Sequence, residues 1–124
     1  MNTRQSTILV LDDEPDLLEL LSALLTSAGY KVHTAQTAED MQIFLKEKNL
    51  PDLLVLDLLL AGSYGGELVR ILKADQHTRN IPILMISAHP SVEQAAHEHG
   101  ADAFLSKPFD IDEFLALVES LLDH

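Results

Sequence analysis

The chain has 124 residues, 47% of them hydrophobic, with 20 acidic against eight basic side chains, a formal net charge of −12 and no cysteine. That length supports one domain with an ordinary core, and the apolar content is too high and too regularly placed for a disordered chain. The missing cysteines exclude a disulfide framework and thiol catalysis, while the acid excess argues against a phosphate-backbone binder, whose affinity comes from Lys and Arg.

Thr7 to Leu11 is a continuous apolar run of strand length that ends at once in Asp12-Asp13-Glu14, far short of a secretory signal. Pro15 then sits where a first helical turn tolerates proline, and leucines at 17, 18, 21, 24 and 25 recur with helical spacing up to a stop at Gly29. Lys31 to Ala35 reads as a second strand. Thr37 with Asp40 resembles a capping pair for a helix carrying Met41, Phe44 and Leu45, which Pro51 ends. Leu53 to Leu56 forms a third strand, followed by a loop from Ala61 to Gly66 and a helix with Leu68, Val69 and Leu72 on its apolar side. Pro82 introduces a fourth strand, Ile83 to Ile86. Ser91 caps a short helix ending near Gly100, and Ala103 to Ser106 makes a fifth strand before Pro108. Asp110 with Glu113 repeats the capping pattern ahead of Phe114, Leu117, Val118 and Leu121. The longest greasy stretch, Leu53 to Ala61, is broken by Asp57 and is far shorter than the ~20 residues of a spanning helix. A soluble cytoplasmic protein is expected.

Five strand–helix units with strands apolar throughout predict an α/β protein, a parallel sheet covered on both faces and doubly wound. In such sheets ligands bind beyond the carboxyl ends of the strands. Strand one ends in Asp12 and Asp13, strand three in Asp57, strand four in Ser87 and strand five in Lys107. Ordinary polar strand ends are the plain alternative, but the charges are not placed evenly. No basic residue falls between Arg4 and Lys31, where five acids do. Helix capping accounts for one of Asp12 and Asp13, not both. Glu14, Asp16 and Glu19 are explained by a helix start or a solvated face. Asp57 stands between four apolar residues and Leu58-Leu59-Leu60, where an ionised carboxylate needs a partner or a task. Lys107 is the only Lys or Arg from Asn80 to His124, among eight acids. A resting salt bridge between Lys107 and Asp57 is one reading. The other is a hard, oxygen-rich site suited to Mg²⁺, with an Asp nucleophile, a hydroxyl and an ammonium arranged for phosphoryl transfer.

Taken together, Ile8-Leu-Val-Leu-Asp-Asp-Glu14, Leu53-Leu-Val-Leu-Asp57, Gly65, Ile86-Ser-Ala88 and Gly100-Ala-Asp-Ala-Phe-Leu-Ser-Lys-Pro-Phe109 resemble the receiver domain of bacterial two-component response regulators. The resemblance covers essentially the whole chain and implies a flavodoxin-like sheet of order 2-1-3-4-5 with five helices on both faces. It implies that Asp57 accepts a phosphoryl group from a phosphohistidine on a histidine kinase or histidine phosphotransfer protein. Asp12, Asp13, Asp57 and the Leu59 carbonyl would hold Mg²⁺, Lys107 would contact the phosphoryl group, and Ser87 would move towards it. Phe104 takes the aromatic switch position. The output face would be the fourth helix, fifth strand and fifth helix, serving an unidentified downstream protein, and a phosphorylation-linked homodimer fits the same picture. Ala61 stands where the family often has Pro, beside a permissive Gly62, Gly65 and Gly66, and Phe104 lacks the hydroxyl of the commoner Tyr. Leu59 and His89, two residues after Asp57 and Ser87, occupy positions that tune the lifetime of the phosphorylated state. Apolar Leu59 offers no hydrogen bond to position a hydrolytic water.

Residues 1–124 are thus expected to form a single receiver domain, complete at both ends, with no direct nucleic-acid contact and no membrane insertion. Two other readings stay open: a phosphate-independent scaffold that keeps the fold only, and a Mg²⁺-dependent phosphohydrolase with an Asp nucleophile. The latter usually has a second acid where Leu59 stands. His97 and His99 lie two apart on a helix and so point to different sides, a poor metal pair. The glycines at 62, 65 and 66 match neither a P-loop nor a dinucleotide fingerprint.

Overall fold

Chain segments that are apolar at every position cannot show water either face, and here they become the middle of a five-stranded parallel sheet. The computed structural model describes residues 5–47, 50–57, 59–60, 63–88 and 92–123, with backbone alone at 47, 59–60, 63–65 and 92. The strands are β1 (Thr7–Leu11), β2 (Lys31–Ala35), β3 (Leu53–Asp57), β4 (Ile83–Ser87) and β5 (Ala103–Ser106). Their order is β2-β1-β3-β4-β5, every neighbouring pair parallel. Between them run α1 (Pro15–Ser27), α2 (Ala38–Glu47), α3 (Gly65–Ala74), α4 (Val92–His99) and, after β5, α5 (Ile111–Leu122).

Alternation along the strands splits the core in two. Leu9, Leu11, Leu54, Leu56, Ile83 and Met85 face Met41 and Leu45 of α2, Leu68, Val69 and Leu72 of α3, and Ala95 and Ala96 of α4. Ile8, Val10, Leu53, Val55, Leu84 and Ile86 face Leu18, Leu21 and Leu25 of α1 and Phe114 and Val118 of α5. Three helices therefore cover one face and two the other. Each fully buried Leu or Ile contributes about 2 kcal/mol from the area removed from water. The edge strands are less buried than their uniformly apolar reading implied. In β2, Lys31 and Thr34 are exposed, and in β5 only Leu105 is buried, because an edge strand has a sheet neighbour on one side alone.

Several local expectations shift by a residue. β3 runs on to Asp57 and β4 to Ser87, each one residue further than the apolar runs. Within the loop expected from Ala61 to Gly66, Ser63–Tyr64 pairs with Leu59–Leu60 as a small antiparallel hairpin, and α3 already begins at Gly65. α1 starts at Pro15 and ends through Gly29, whose φ of +100° lets the Tyr30 N–H turn back to the Leu25 carbonyl at 3.1 Å. The Thr37 cap forms as expected, its Oγ1 accepting from the Asp40 N–H at 3.0 Å. Asp110 caps α5 by accepting from the Asp112 N–H at 2.9 Å, one residue before Glu113. Ser91 and His89 lie outside the described residues. Among the described residues, no helix is long and apolar enough to cross a membrane.

Candidate functional site

Parallel strands in register bring their carboxyl ends to one edge. Leu11 pairs with Leu56, so Asp12 and Asp57 are the next step on neighbouring strands. Asp57 pairs with Ile86, and Ser87 with Ser106, which places Lys107 one residue past the end of β5. The Lys107 N–H donates to the Ser87 carbonyl at 2.9 Å, tying the lysine to the end of β4. The Lys107–Pro108 peptide is cis.

The carboxylates meet. Asp12, Asp13 and Asp57 offer oxygens that all lie within 4.8 Å of one another. Asp12 is fully buried, Asp57 is 6% exposed and Ser87 2%. Into this group reaches the Lys107 ammonium, 3.0 Å from Asp57 Oδ2, 3.3 Å from Asp12 Oδ2 and 3.8 Å from Glu14 Oε1. The resting salt bridge read from the sequence is therefore present, and Asp12 shares it.

Asp12 divides its two oxygens between structure and site. Oδ1 accepts from the Glu14 N–H at 2.9 Å, turning the chain into α1, while Oδ2 faces Lys107. The helix-start role foreseen for one of the acidic pair thus falls to Asp12 without removing it from the site. Glu14 stands exposed at the helix start, as its position in the sequence implied, and in addition approaches the site. It precedes Pro15 as the N-cap residue of α1, with no side-chain cap bond, and its exposed carboxylate points towards Lys107 instead. Adjacency to Asp12-Asp13 was the available signal.

Electrostatics follow from burial and crowding. Burial pushes the Asp12 carboxyl above the ordinary carboxylate range. The Glu14 amide and the Lys107 charge pull it part of the way back, and the Asp57 charge adds to the rise. Burial favours the neutral amine of Lys107, but the hydrogen bond to Asp57 and the charges of Asp57 and Asp12 outweigh it. The net shift is upward, so the ammonium stays charged. Around the Lys107 ammonium the carboxylates of Asp12, Asp13, Asp57 and Glu14 make an acidic surplus of the kind a divalent cation offsets. Among the described residues no other set of three or more acidic or histidine side chains converges in this way. An oxygen-only donor set fits a hard cation such as Mg²⁺ rather than a softer metal.

Phe104 pairs with Met85 across β4 and β5 and is half-buried against the cluster that includes Ala95 and Ala96 of α4. Leu59 lies in the hairpin directly after Asp57, and its side chain, like His89, is outside the described residues. His97 is exposed, and His99 Nδ1 lies 3.2 Å from Arg70 Nη2, a surface contact away from the acids.

Comparison with known proteins agrees with this arrangement. The family model of the response regulator receiver domain matches residues 8–119. The DNA-binding dual master transcriptional regulator RpaA of Synechocystis is 38% identical over 117 residues, 93% of this chain and 48% of its own length. The phosphate regulon transcriptional regulatory protein PhoB of Pseudomonas aeruginosa is 36% identical over 118 residues, 94% of this chain and 51% of its own length. The chain therefore spans about half the length of these curated relatives. The response regulator TrrA of Thermotoga maritima, solved with Mg²⁺ and BeF, superposes with a TM-score of 0.85 at 30% identity, covering 95% of this chain and all of the other.

Proposed function

Because this chain belongs to the response regulator receiver family, we propose that it accepts a phosphoryl group on Asp57 with Mg²⁺ and uses it to switch a protein-binding face. Receivers of this family are signalling modules that act between histidine kinases and downstream effectors. The observation that carries the proposal is the convergence of Asp12, Asp13 and Asp57 within 4.8 Å, with Lys107 at 3.0 Å from Asp57.

In this reading Asp12, Asp13, Asp57 and the Leu59 carbonyl hold the cation. When bound, Mg²⁺ supplies positive charge to the oxygens of the transferring phosphoryl group. A carboxylate oxygen of Asp57 attacks phosphorus in line. The P–N bond to the donor imidazole breaks, its electron pair leaves with the imidazole nitrogen, and an acyl phosphate P–O bond forms. Lys107, already beside Asp57, passes from the carboxylate to a phosphoryl oxygen, so the charge on the transferring group is offset without recruiting a new side chain. Ser87, buried at the end of the neighbouring β4, donates its hydroxyl to a second phosphoryl oxygen. As Ser87 moves towards the phosphate, Phe104 turns inward, altering the surface of α4, β5 and α5. Leu59 and His89 set how fast water removes the phosphate.

The proposal takes residues 1–124 as one receiver unit, placed in the cytoplasm with a phosphohistidine-bearing kinase or phosphotransfer protein as donor. Incubation with Mg²⁺ and acetyl phosphate, read by intact mass, tests it. Wild type gains one phosphate and Asp57→Asn gains none. No gain in wild type would leave the phosphate-independent scaffold as the better reading.

A further inference from the structure

We infer that Asp52 and Asp102, at the far edge of the sheet from the site, are positioning residues that hold the strands bearing Asp57 and Lys107 in register; this rests on the phosphoacceptor reading above. Each sits immediately before a strand and five residues upstream of a site group, Asp52 before Asp57 and Asp102 before Lys107. Each makes the same two-point clamp on its neighbour. The Asp52 N–H donates to the Thr7 carbonyl at 2.7 Å while Asp52 Oδ2 accepts from the Thr7 N–H at 2.8 Å. The Asp102 N–H donates to the Ile83 carbonyl at 2.9 Å while Asp102 Oδ2 accepts from the Ile83 N–H at 2.7 Å.

Thr7 and Ile83 open β1 and β4. In a parallel ladder the amide of such a residue takes its acceptor from the neighbouring strand, one residue before its partner. There the neighbouring segments lie outside β3 and β5, so the aspartate side chain supplies the acceptor. Asp102 is anchored further. Lys73 of α3 lies 2.8 Å from its Oδ2 and also donates to the Ile81 and Arg79 carbonyls at 3.0 and 3.3 Å. One corner thus joins α3, the segment entering β4 and the start of β5.

A clamp matters here because the hydrophobic pattern resists slippage weakly. Ile8 to Leu11 and Leu53 to Leu56 are apolar and buried at every position. Shifting β3 by one residue would exchange one apolar side chain for another on both faces, with little penalty. The same shift would displace Asp57 by ~3.3 Å and turn it to the opposite face, away from Asp12. At β5 it would carry Lys107 off with it. What singles out the correct register is the polar pair at the start of each ladder.

The test measures the initial rate of phosphate uptake from acetyl phosphate with Mg²⁺, at a temperature where every variant compared is folded by circular dichroism. Asp52→Ala and Asp102→Ala should be slowed roughly tenfold, less than the ~100-fold that a 1 Å misplacement can cost. Asp52→Asn and Asp102→Asn keep an acceptor for the Thr7 or Ile83 amide and should stay close to wild type. Leu45→Ala, which loses stability through a cavity on the α2 side, should keep the rate. Ala variants at the wild-type rate would overturn the inference. So would Asn variants slowed well below wild type, a result readable even if the Ala variants do not fold. Cross-strand NMR contacts between Ile8 and Leu53, and between Leu84 and Ala103, give a readout independent of phosphate. They should weaken in the Ala variants and persist in the Asn variants, and contacts unchanged in all four would overturn the register role. Absence of phosphate uptake in wild type would instead strike the phosphoacceptor reading, leaving these contacts to decide the clamps.

Discussion

At the amino edge of the sheet, Asp52 and Asp102 each accept from a strand amide, and Lys73 balances one of them. At the carboxyl edge, Asp12, Asp13 and Asp57 crowd around a single Lys107, with Glu14 close by. Both edges hold aspartates beside lysines at similar distances. The difference lies in what faces the carboxylates: strand amides at the amino edge, other carboxylates at the carboxyl edge. Where a strand amide meets the carboxylate, the acid is a fastener. Where carboxylates face one another, like-charge crowding is destabilising by itself and a bound cation relieves it.

That contrast can be broken experimentally, beginning with the largest effect. Asp57→Asn should abolish phosphate uptake altogether in the mass assay, whereas Asp102→Asn should retain it. Next in size is the response to metal. Mg²⁺ at 100 times its dissociation constant should stabilise the fold by about 2.7 kcal/mol, seen as a higher unfolding midpoint. Asp13→Asn should lose most of that gain in the same thermal scan.

The sharpest comparison applies one substitution to both edges. Asp102→Asn removes an ion pair and should lower stability by about 1 kcal/mol in a denaturant titration. That value is discounted from the ~1.5–3 kcal/mol of a charged hydrogen bond because Asp102 is 40% exposed. Asp12→Asn keeps an acceptor for the Glu14 amide and relieves like-charge crowding, so without metal it should raise stability, by about 0.5–2 kcal/mol. A loss of stability in Asp12→Asn would erase the distinction between the edges. The gain should also depend on pH in a definite sense. With its pKa raised by burial, folded Asp12 is still protonated at pH values where the unfolded chain has ionised. Wild type therefore carries the extra stability of the neutral acid below the unfolded pKa and loses it as pH rises through the folded pKa. The advantage of Asp12→Asn is accordingly full above the raised folded pKa of Asp12 and disappears in acid. The smallest effect is kinetic: Leu59→Asn offers a hydrogen bond to a hydrolytic water and should quicken loss of phosphate severalfold, followed by decay of the phosphorylated mass.

Much of this was legible in the chain before any coordinates. Ile8 to Leu11, Leu53 to Leu56 and Ile83 to Ile86 contain no polar residue, and a run of that length without alternation has few homes other than a parallel sheet covered on both sides. Charges set at the carboxyl ends of such runs gather at one rim of the sheet, where even buried carboxylates find polar partners. So Asp12, Asp13, Asp57, Ser87 and Lys107 could be named as neighbours from one-dimensional information. Local periodicity carried the helices, and Gly29 and Thr37 marked their ends where a backbone or hydroxyl rule applies within a few residues.

Pairings over distance were a different matter. Chain order puts Asp52 and Asp102 before their strands and Asp12 and Asp57 at the ends of theirs, but it does not say which groups each carboxylate meets. All four are aspartates beside apolar runs. Their roles depend on which end of the strand each occupies in space, and on whether an amide or another carboxylate lies opposite. The sharing of Lys107 between Asp12 and Asp57, the approach of Glu14, and the tie from Lys73 to Asp102 join residues up to 95 positions apart. Local pattern sets which side chains reach water. Only the folded sheet decides which charges meet, because electrostatic partners are chosen by distance through space.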